Sequence, residues 1–335
     1  MAAIPDHFRA YVAERAAHRV ECGVRTMARA DLPPGEVDVL VAWSGVNYKD
    51  ALATRSDGKV ARISPLVPGI DLSGVVLAST DEAFKPGDRV IAHGYELGVS
   101  RHGGYAEYAR VPADQVVPLP AGLTLREAMV LGTAGFTAAL SVVRLEDRGL
   151  DPGDGPVLVT GATGGVGSTA VSILARRGYE VWALTGKAGE RDWLASQGAV
   201  GFLGREDAPV DGPPLDKERW AAVVDAVGGA TLPYALRSTR RGGAVALSGN
   251  VGGGALVTTV FPFILRGVAL LGIDSAYMPI AERRRLWERL AGELRPASLG
   301  TRVTEVDLDT LDGAFDAILA GQARGRWVVR IGGGD

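Results

Sequence analysis

The stretch VTGATGGVGSTAV, Val159 to Val171, restricts the fold more than any other part of this sequence. It joins the apolar run PVLVT, ending at Thr160, to a helical pattern from Ser168 to Arg177, with Gly178 placed to end that helix. Strand, glycine turn and helix in that order open a parallel βαβ unit. In such a turn Gly164 lets the backbone approach a pyrophosphate and Gly167 brings the helix close to the sheet. The helix N-terminus then offers its unpaired N–H groups to the anion. Ala162, Gly164 and Gly167 spell A-x-G-x-x-G, a relaxed dinucleotide-binding fingerprint.

The cluster begins almost halfway along the 335 residues, so something else folds first. The first third holds short β-like runs, VDVLVAW, SGVVLA, DRVIAHG and YAEYARVP, broken by turns such as Lys85-Pro86-Gly87-Asp88. These predict a mostly antiparallel β domain. From about Leu125 the pattern alternates, with REAMVLGTAGFTAALSVV helical, PVLVT a strand, STAVSILARRG a helix and EVWALT a strand. That predicts a doubly wound parallel sheet covered by helices, an α/β architecture. AAVVDAV, GAVALSG and VALLGID continue the strands, the polar loop REDAPVDGPPLDKER is a surface excursion, and IAERRRLWERLAGEL is a charged helix. The end, from Thr301, reads strand, helix, strand and is expected to rejoin the first domain. The expected division is therefore 1–125 completed by 301–335, and 126–300 for the dinucleotide.

Composition narrows the partners. Hydrophobic residues make up 47%, charged residues 22%, and the net charge is -3, which argues against disorder and against a nucleic-acid surface. The lone Cys22 allows no internal disulfide, and MAAIPDHFRAYVAERA lacks the apolar core of a secretory signal. The apolar stretch VTTVFPFILRGVALLGI is interrupted by Pro262, Arg266 and Gly267, so no membrane crossing is expected and a cytoplasmic location is.

The identity of the dinucleotide is written about twenty residues past the glycines, where an acid would hold the ribose hydroxyl of NAD. Here no acid occupies Thr185 or Gly186; Lys187 follows and Arg205 is available from the next loop, which favours the 2'-phosphate of NADPH. The letters TGATGGVG also fit the short-chain dehydrogenases, but that motif stands near the N-terminus of its family and needs Tyr-x-x-x-Lys. No tyrosine here has lysine four positions on.

A β-rich domain before a late dinucleotide fold resembles the medium-chain dehydrogenase/reductase superfamily, whose first domain is GroES-like and whose second is a Rossmann fold. Zinc members take three catalytic ligands from segments that read SGVNYKD, PGIDLSG and LGTAG here, where Asn47, Ile70 and Thr133 replace them. None supplies a thiolate or imidazole, and one cysteine excludes a four-cysteine site. His93 and His102 remain as a sparse pair in a loop, so no metal is expected.

Among zinc-free members, SGVNYKDALA, LVPGIDLSGVV, HGGYAEYARVP, GTAGFTAAL, VTGATGGVGSTAV and TTVFPFILRGVALLGIDS look like the acryloyl-CoA reductase group, of YhdH/AcuI type, whose members also carry the name quinone oxidoreductase. The resemblance spans the whole chain and implies NADPH-dependent reduction of the C=C bond of acryloyl-CoA to propanoyl-CoA. It implies cofactor contacts at Tyr48, Thr163, Gly164, Gly165, Val166, Thr185, Gly186, Lys187, Arg205, Asn250, Ile264, Ser275 and Gly321. Asn250 stands where the group has Leu.

In that chemistry hydride from the nicotinamide reaches the β-carbon and charge moves to the thioester oxygen, which needs hydrogen-bond donors. A proton must then reach the α-carbon. Tyr48 is the acid nearest the former metal position, and Asn47 occupies a former ligand position; both are candidate catalytic residues. Asp50 is expected to fix the turn and Lys49 to face solvent. Arg55, Lys59, Arg62 and Arg101 read as a solvated face whose spacing identifies no pocket for CoA phosphates. The active site is expected in the interdomain cleft, and GVALLGIDS is expected as the edge strand of a homodimer. The alternatives are a quinone or enone reductase, or a non-catalytic NADPH sensor.

Overall fold

The apolar runs of the second half form one parallel sheet, as their spacing predicts. The structure, a computed structural model, describes residues 4–17, 19–297 and 299–332, so the expected domain ends at 1 and 335 lie outside the described residues. In chain order the strands are β1 (His7–Arg15), β2 (Val20–Ala28), β3 (Val37–Gly45), β4 (Asp71–Ser79), β5 (Arg89–His93), β6 (Tyr108–Val111), β7 (Val116–Pro118), β8 (Val157–Thr160), β9 (Val181–Leu184), β10 (Ala199–Leu203), β11 (Trp220–Asp225), β12 (Thr239–Leu247), β13 (Ala269–Gly272), β14 (Val303–Val306) and β15 (Arg326–Arg330). The helices are α1 (Tyr48–Ala53), α2 (Leu125–Glu146), α3 (Gly165–Arg176), α4 (Arg191–Ser196), α5 (Thr231–Ser238), α6 (Phe261–Arg266), α7 (Ile280–Ala291) and α8 (Leu311–Leu319).

The chain divides into two compact units. The first comprises the chain up to Thr133, Ala276–Ala291 and the chain from Gly300; the second comprises Ala134–Ser275 and Gly292–Leu299. In the second unit the sheet order is β10-β9-β8-β11-β12-β13, with every neighbouring pair parallel. This is the doubly wound dinucleotide order, and its switch point lies between β8 and β11, where ligands settle beyond the strand ends. Leu158, Val223 and Val245 stack with Leu232 and Leu236 to close one face of the sheet.

The first unit has an antiparallel β1–β2 hairpin and a sheet of order β14-β15-β3-β4-β5-β7, with β6 also on β3. β15 pairs antiparallel with β3, Val328 opposite Gly45, so the C-terminal strand joins the sheet of the first unit. Val37, Val39 and Val41 alternate into its core beside Leu72 and Val90.

The units depart from the expected 125/126 and 300/301 divisions in two places. The helical run REAMVLGTAGFTAALSVV is broken at Gly132, whose φ of 52° and ψ of -158° no helix allows, and the first unit extends to Thr133. The second departure is α7, which packs in the first unit. Its Arg283 Nη1 donates to the His93 carbonyl at 2.8 Å, its Trp287 indole N–H donates to His93 Nε2 at 2.8 Å, and Arg284 donates to the Val116 carbonyl at 3.2 Å. By length and composition α2 is the one described helix that reaches membrane-spanning proportions, and most of it is buried inside the protein.

Candidate active site

Two constellations, one in each unit, carry the chemistry-bearing residues. In the second unit β8 delivers the chain to the glycine turn. Gly161 takes a φ of 58°, Gly164 caps α3 without a side-chain bond, and the amides of Gly165 and Val166 open the helix with no helical carbonyl to bond. A Cβ on Gly167 would lie 2.3 Å from the Gly161 carbonyl oxygen and 2.8 Å from the Ala162 Cα, so only glycine lets α3 start this close to the turn. The backbone thus forms the cradle a pyrophosphate requires, at the end of a 12-residue helix whose dipole favours it. Across the switch point the Thr160 hydroxyl donates to Asp225, whose carboxylate also accepts from the amides of Val227 at 3.2 Å and Gly228 at 3.0 Å. Burial raises the Asp225 carboxyl, against the opposing pull of these bonds.

At the end of β9 the Thr163 and Thr185 hydroxyls meet at 3.3 Å and the Lys187 amide donates to the Thr185 hydroxyl at 3.2 Å. A Cβ on Gly186 would lie 2.6 Å from Arg205 Nε, so the Arg205 side chain rests where an acid would stand in an NAD site. These residues fit a phosphorylated ribose. Ser275 accepts from the Thr137 hydroxyl at 2.7 Å; Asn250 and Ile264 are exposed in the second unit. Gly321 and Tyr48 belong to the first unit, where Tyr48 is half-buried as the first residue of α1 and Gly321 follows α8.

The second constellation surrounds Asn47. Asp50 is buried, and its carboxylate accepts from the Asn47 amide at 2.9 Å, the Asn47 side chain at 3.2 Å, and the amides of Gly69 at 3.1 Å and Ile70 at 2.8 Å. Asp71 accepts from the Gly45 amide at 2.7 Å, from Asn47 Nδ2 at 3.0 Å and from the Thr133 amide at 2.9 Å. Arg326, only 6% exposed, donates to the carbonyls of Val130 at 2.9 Å and Met129 at 3.2 Å, and at 3.4 Å to Asn47 Oδ1. Its Nη2 and the Asp71 carboxylate both lie within 3.0 Å of the point where a Gly45 side chain would begin.

Burial, then Asp71, raises the Asp50 carboxyl to about 7. Burial lowers the Arg326 guanidinium against the opposing pull of Asp71, and raises the Tyr105 phenol, whose hydroxyl donates to the Gly45 carbonyl at 3.0 Å. Asn47 therefore spends both faces of its amide inside this network.

These positions do not fit zinc. Asn47 aims its N–H groups at Asp50 and Asp71, Ile70 has no donor atom, and the Arg326 guanidinium lies beside the Asp71 carboxylate. Among the described residues no group of three His, Cys, Asp or Glu side chains comes together for a metal. His93 is not a loop residue; it ends β5, fully buried, with its imidazole held well below the usual range by burial and then by Arg283. His102 Nδ1 accepts from the Val67 amide at 3.1 Å. Asp50 ties the turn before α1 to residues 69 and 70, in line with its expected role. Sequence reasoning missed Arg326, 279 residues from Asn47, and Asp71 and Tyr105; only the IDLSG segment offered a signal, an acid beside the missing ligand.

Residues 33–121 match the alcohol dehydrogenase GroES-like domain and residues 165–292 the zinc-binding dehydrogenase domain. A Bacillus subtilis protein named as a quinone oxidoreductase, YhfP, is 51% identical over 97% of this chain and 99% of its own; its structure with NAD bound superposes with a TM-score of 0.94. The acrylyl-CoA reductase AcuI of Ruegeria pomeroyi is 49% identical over 93% of this chain and 95% of its own. The yhdH oxidoreductase of Salmonella enterica, solved with NADP, is 44% identical over 97% of this chain and 100% of its own, with a TM-score of 0.94.

Proposed function

The chain belongs to the medium-chain dehydrogenase/reductase superfamily, in the group of YhfP, AcuI and YhdH, and from this premise we propose that it is an NADPH-dependent enoyl-thioester reductase acting without metal, most readily on acryloyl-CoA to give propanoyl-CoA. The observation that carries the coenzyme reading is the Arg205 side chain against Gly186, a cation where NAD enzymes place an acid. The likeness to AcuI over almost all of both chains supports the substrate. The likeness to YhfP supports a second reading, reduction of a quinone or enone.

NADPH, when bound, supplies hydride to the substrate β-carbon. The chain's own contribution is to seat the pyrophosphate on the amides of Gly165 and Val166 and the 2'-phosphate beside Arg205 and Lys187. Tyr48 then provides the α-carbon with a proton, completing addition of hydride and proton across the C=C bond. Asn47, locked by Asp50, Asp71 and Arg326, acts as a positioning residue that holds the start of α1 and hence Tyr48.

One panel tests this: NADPH and NADH consumption with acryloyl-CoA and with a simple quinone, for the wild type and Tyr48→Phe. The expected result is a higher rate with NADPH and acryloyl-CoA, and a fall in kcat of about 10²-fold or more in the variant at saturating NADPH. Equal or better turnover with NADH rejects the coenzyme assignment, preference for quinone selects the second reading, and unchanged kcat removes Tyr48 from the chemistry.

The protein is further proposed to act in the cytoplasm, where the half-buried thiol Cys22 needs no oxidising compartment, and as a homodimer. β13 ends its sheet, pairing only with β12 among the described residues, and the chain before it exposes Val257 (83%), Val260 (61%), Ile264 (67%) and Leu265 (48%). Light scattering is expected to give twice the chain mass, and a monomeric mass overturns the dimer.

A further inference from the structure

Positive charge gathers just beyond Tyr48, from Lys49 in α1 into the loop that leaves the helix. Lys49, Arg55, Lys59 and Arg62 stand there against Asp57 and, from the loop after β5, Glu96. That is an excess of two positive charges on a chain whose net charge is -3.

The loop is held in place. Arg55 donates its amide to the Leu52 carbonyl at 3.1 Å and Gly58 to the Arg55 carbonyl at 3.2 Å, and a Cβ on Gly58 would fall 1.9 Å from the Leu52 oxygen. Farther along, the Arg62 amide donates to the Val99 carbonyl at 2.9 Å, the Arg15 amide donates to the Ser64 hydroxyl at 2.8 Å, and the Arg15 guanidinium donates to the Ala61 carbonyl. The side chains of Arg55, Lys59 and Arg62 remain exposed on this anchored backbone, and Arg55 already faces Asp57 at 3.5 Å.

Glu96 does not cancel the rest. Its carboxylate accepts from the hydroxyls of Ser100 and Tyr277, which hold it below its ordinary range, and Arg62 and Lys49 add to that effect. Arg62 and Lys49 therefore act on one carboxylate that already has two other donors, while among the described residues Lys59 has no carboxylate within ion-pair distance. Charge of this kind, presented on a fixed loop, suits a multiply charged anion better than a neutral one.

We propose that Lys59 and Arg62, with Lys49 beside them, form the subsite that receives the phosphates of the CoA portion of the substrate. This rests on the enoyl-thioester reading and deepens it: a CoA thioester brings a pyrophosphate and a 3'-phosphate to the site, whereas a quinone brings none. The guanidinium of Arg62 offers a bidentate fork and the Lys59 ammonium a point charge, a combination suited to phosphate.

The test uses the full chain at saturating NADPH, with the double substitution Lys59→Glu and Arg62→Glu. Acryloyl-CoA is compared with S-acryloyl-N-acetylcysteamine, the same reacting group without phosphates. The expected result is a KM for acryloyl-CoA raised about tenfold or more with kcat retained, and a KM for the phosphate-free thioester changed by less than about twofold. Raising NaCl from about 50 to about 300 mM should weaken acryloyl-CoA binding to the wild type and barely affect the variant. An equal rise for both thioesters shows a structural effect and overturns the proposal, as does no rise for either.

If the wild type turns over neither thioester, the enoyl-thioester reading itself has failed. Free CoA is then tested as an inhibitor of enone reduction. Inhibition that weakens about tenfold in the variant upholds the phosphate subsite, and absence of inhibition in the wild type overturns it.

Discussion

Replacing Arg326 with Met is expected to destabilise the protein by about 3–5 kcal/mol at pH 7.5, the cost of removing one partner from a buried set of charges. The guanidinium is placed among Asp50, Asp71 and Tyr105 in that cluster, and it also donates to the carbonyls of Met129 and Val130. Methionine fills similar volume but takes the Arg326 donors from both carbonyls and the compensating charge from both carboxyls. The sign of the pH effect follows from Asp50. Its folded-state value of about 7 lies above that of an unfolded aspartate, so between these values the folded state binds the extra proton and stability falls as pH rises. In the variant the two carboxyls repel without a cation between them, and the deficit should shrink at pH 5.5, where Asp50 carries its proton and the pair holds less negative charge. Urea unfolding at both pH values measures this. A variant within about 1 kcal/mol of the wild type at pH 7.5 would show that Arg326 does not hold the cluster together.

Gly167→Val is expected to raise the Kd for NADPH about 100-fold or more, equivalent to about 2.7 kcal/mol or more. The added side chain would begin 2.3 Å from the Gly161 carbonyl oxygen and 2.8 Å from the Ala162 Cα, both backbone atoms with no rotamer to escape into. α3 must move away from β8, and the amides of Gly165 and Val166 move with it. Overpacking of this kind also costs about 1–3 kcal/mol of stability, so the binding loss has to be separated from misfolding. Gly164→Ala provides the separation. Its Cβ would lie 3.3 Å from the Gly161 oxygen, which a small shift relieves, yet it stands at the cap where the pyrophosphate approaches. It should lose NADPH affinity with little change in unfolding. Fluorescence titration with NADPH and urea unfolding of both variants check the pair. A folded Gly167→Val protein that binds NADPH normally would place the pyrophosphate elsewhere.

The dinucleotide turn was legible because each of its requirements is local. Strand, glycine spacing and helix occupy consecutive residues from Val157 to Arg176, and the missing acid after β9 follows at a fixed distance in a fold whose strand order is itself set by short crossovers. The antiparallel first domain was legible for the same reason, from period-two runs between Pro and Gly turns. The three missing zinc ligands were visible as letters at Asn47, Ile70 and Thr133. What replaces them was not.

Arg326 reaches that place from the last strand, because β15 pairs with β3 and carries its side chain in beside Asp71. Nothing in GRWVVR separates this arginine from one facing water. In the same way IAERRRLWERLAGEL reads as one more charged helix, and only the bonds of Arg283 and Trp287 to His93 fasten α7 to the first unit. The helical pattern around Gly132 continued through a residue that breaks the helix, since glycine's φ of 52° is chosen by the close approach of Arg326 and Asp71 and not by its neighbours in the chain.

The sequence by itself thus determined the order of elements, the cradle for a dinucleotide and the loss of zinc donors, all matters of spacing along the chain. Only the tertiary structure decided which distant charges compensate one another. Burial makes a lone charge too costly to leave unpaired, and the partner that relieves it is chosen by proximity in space, to which separation in sequence is blind.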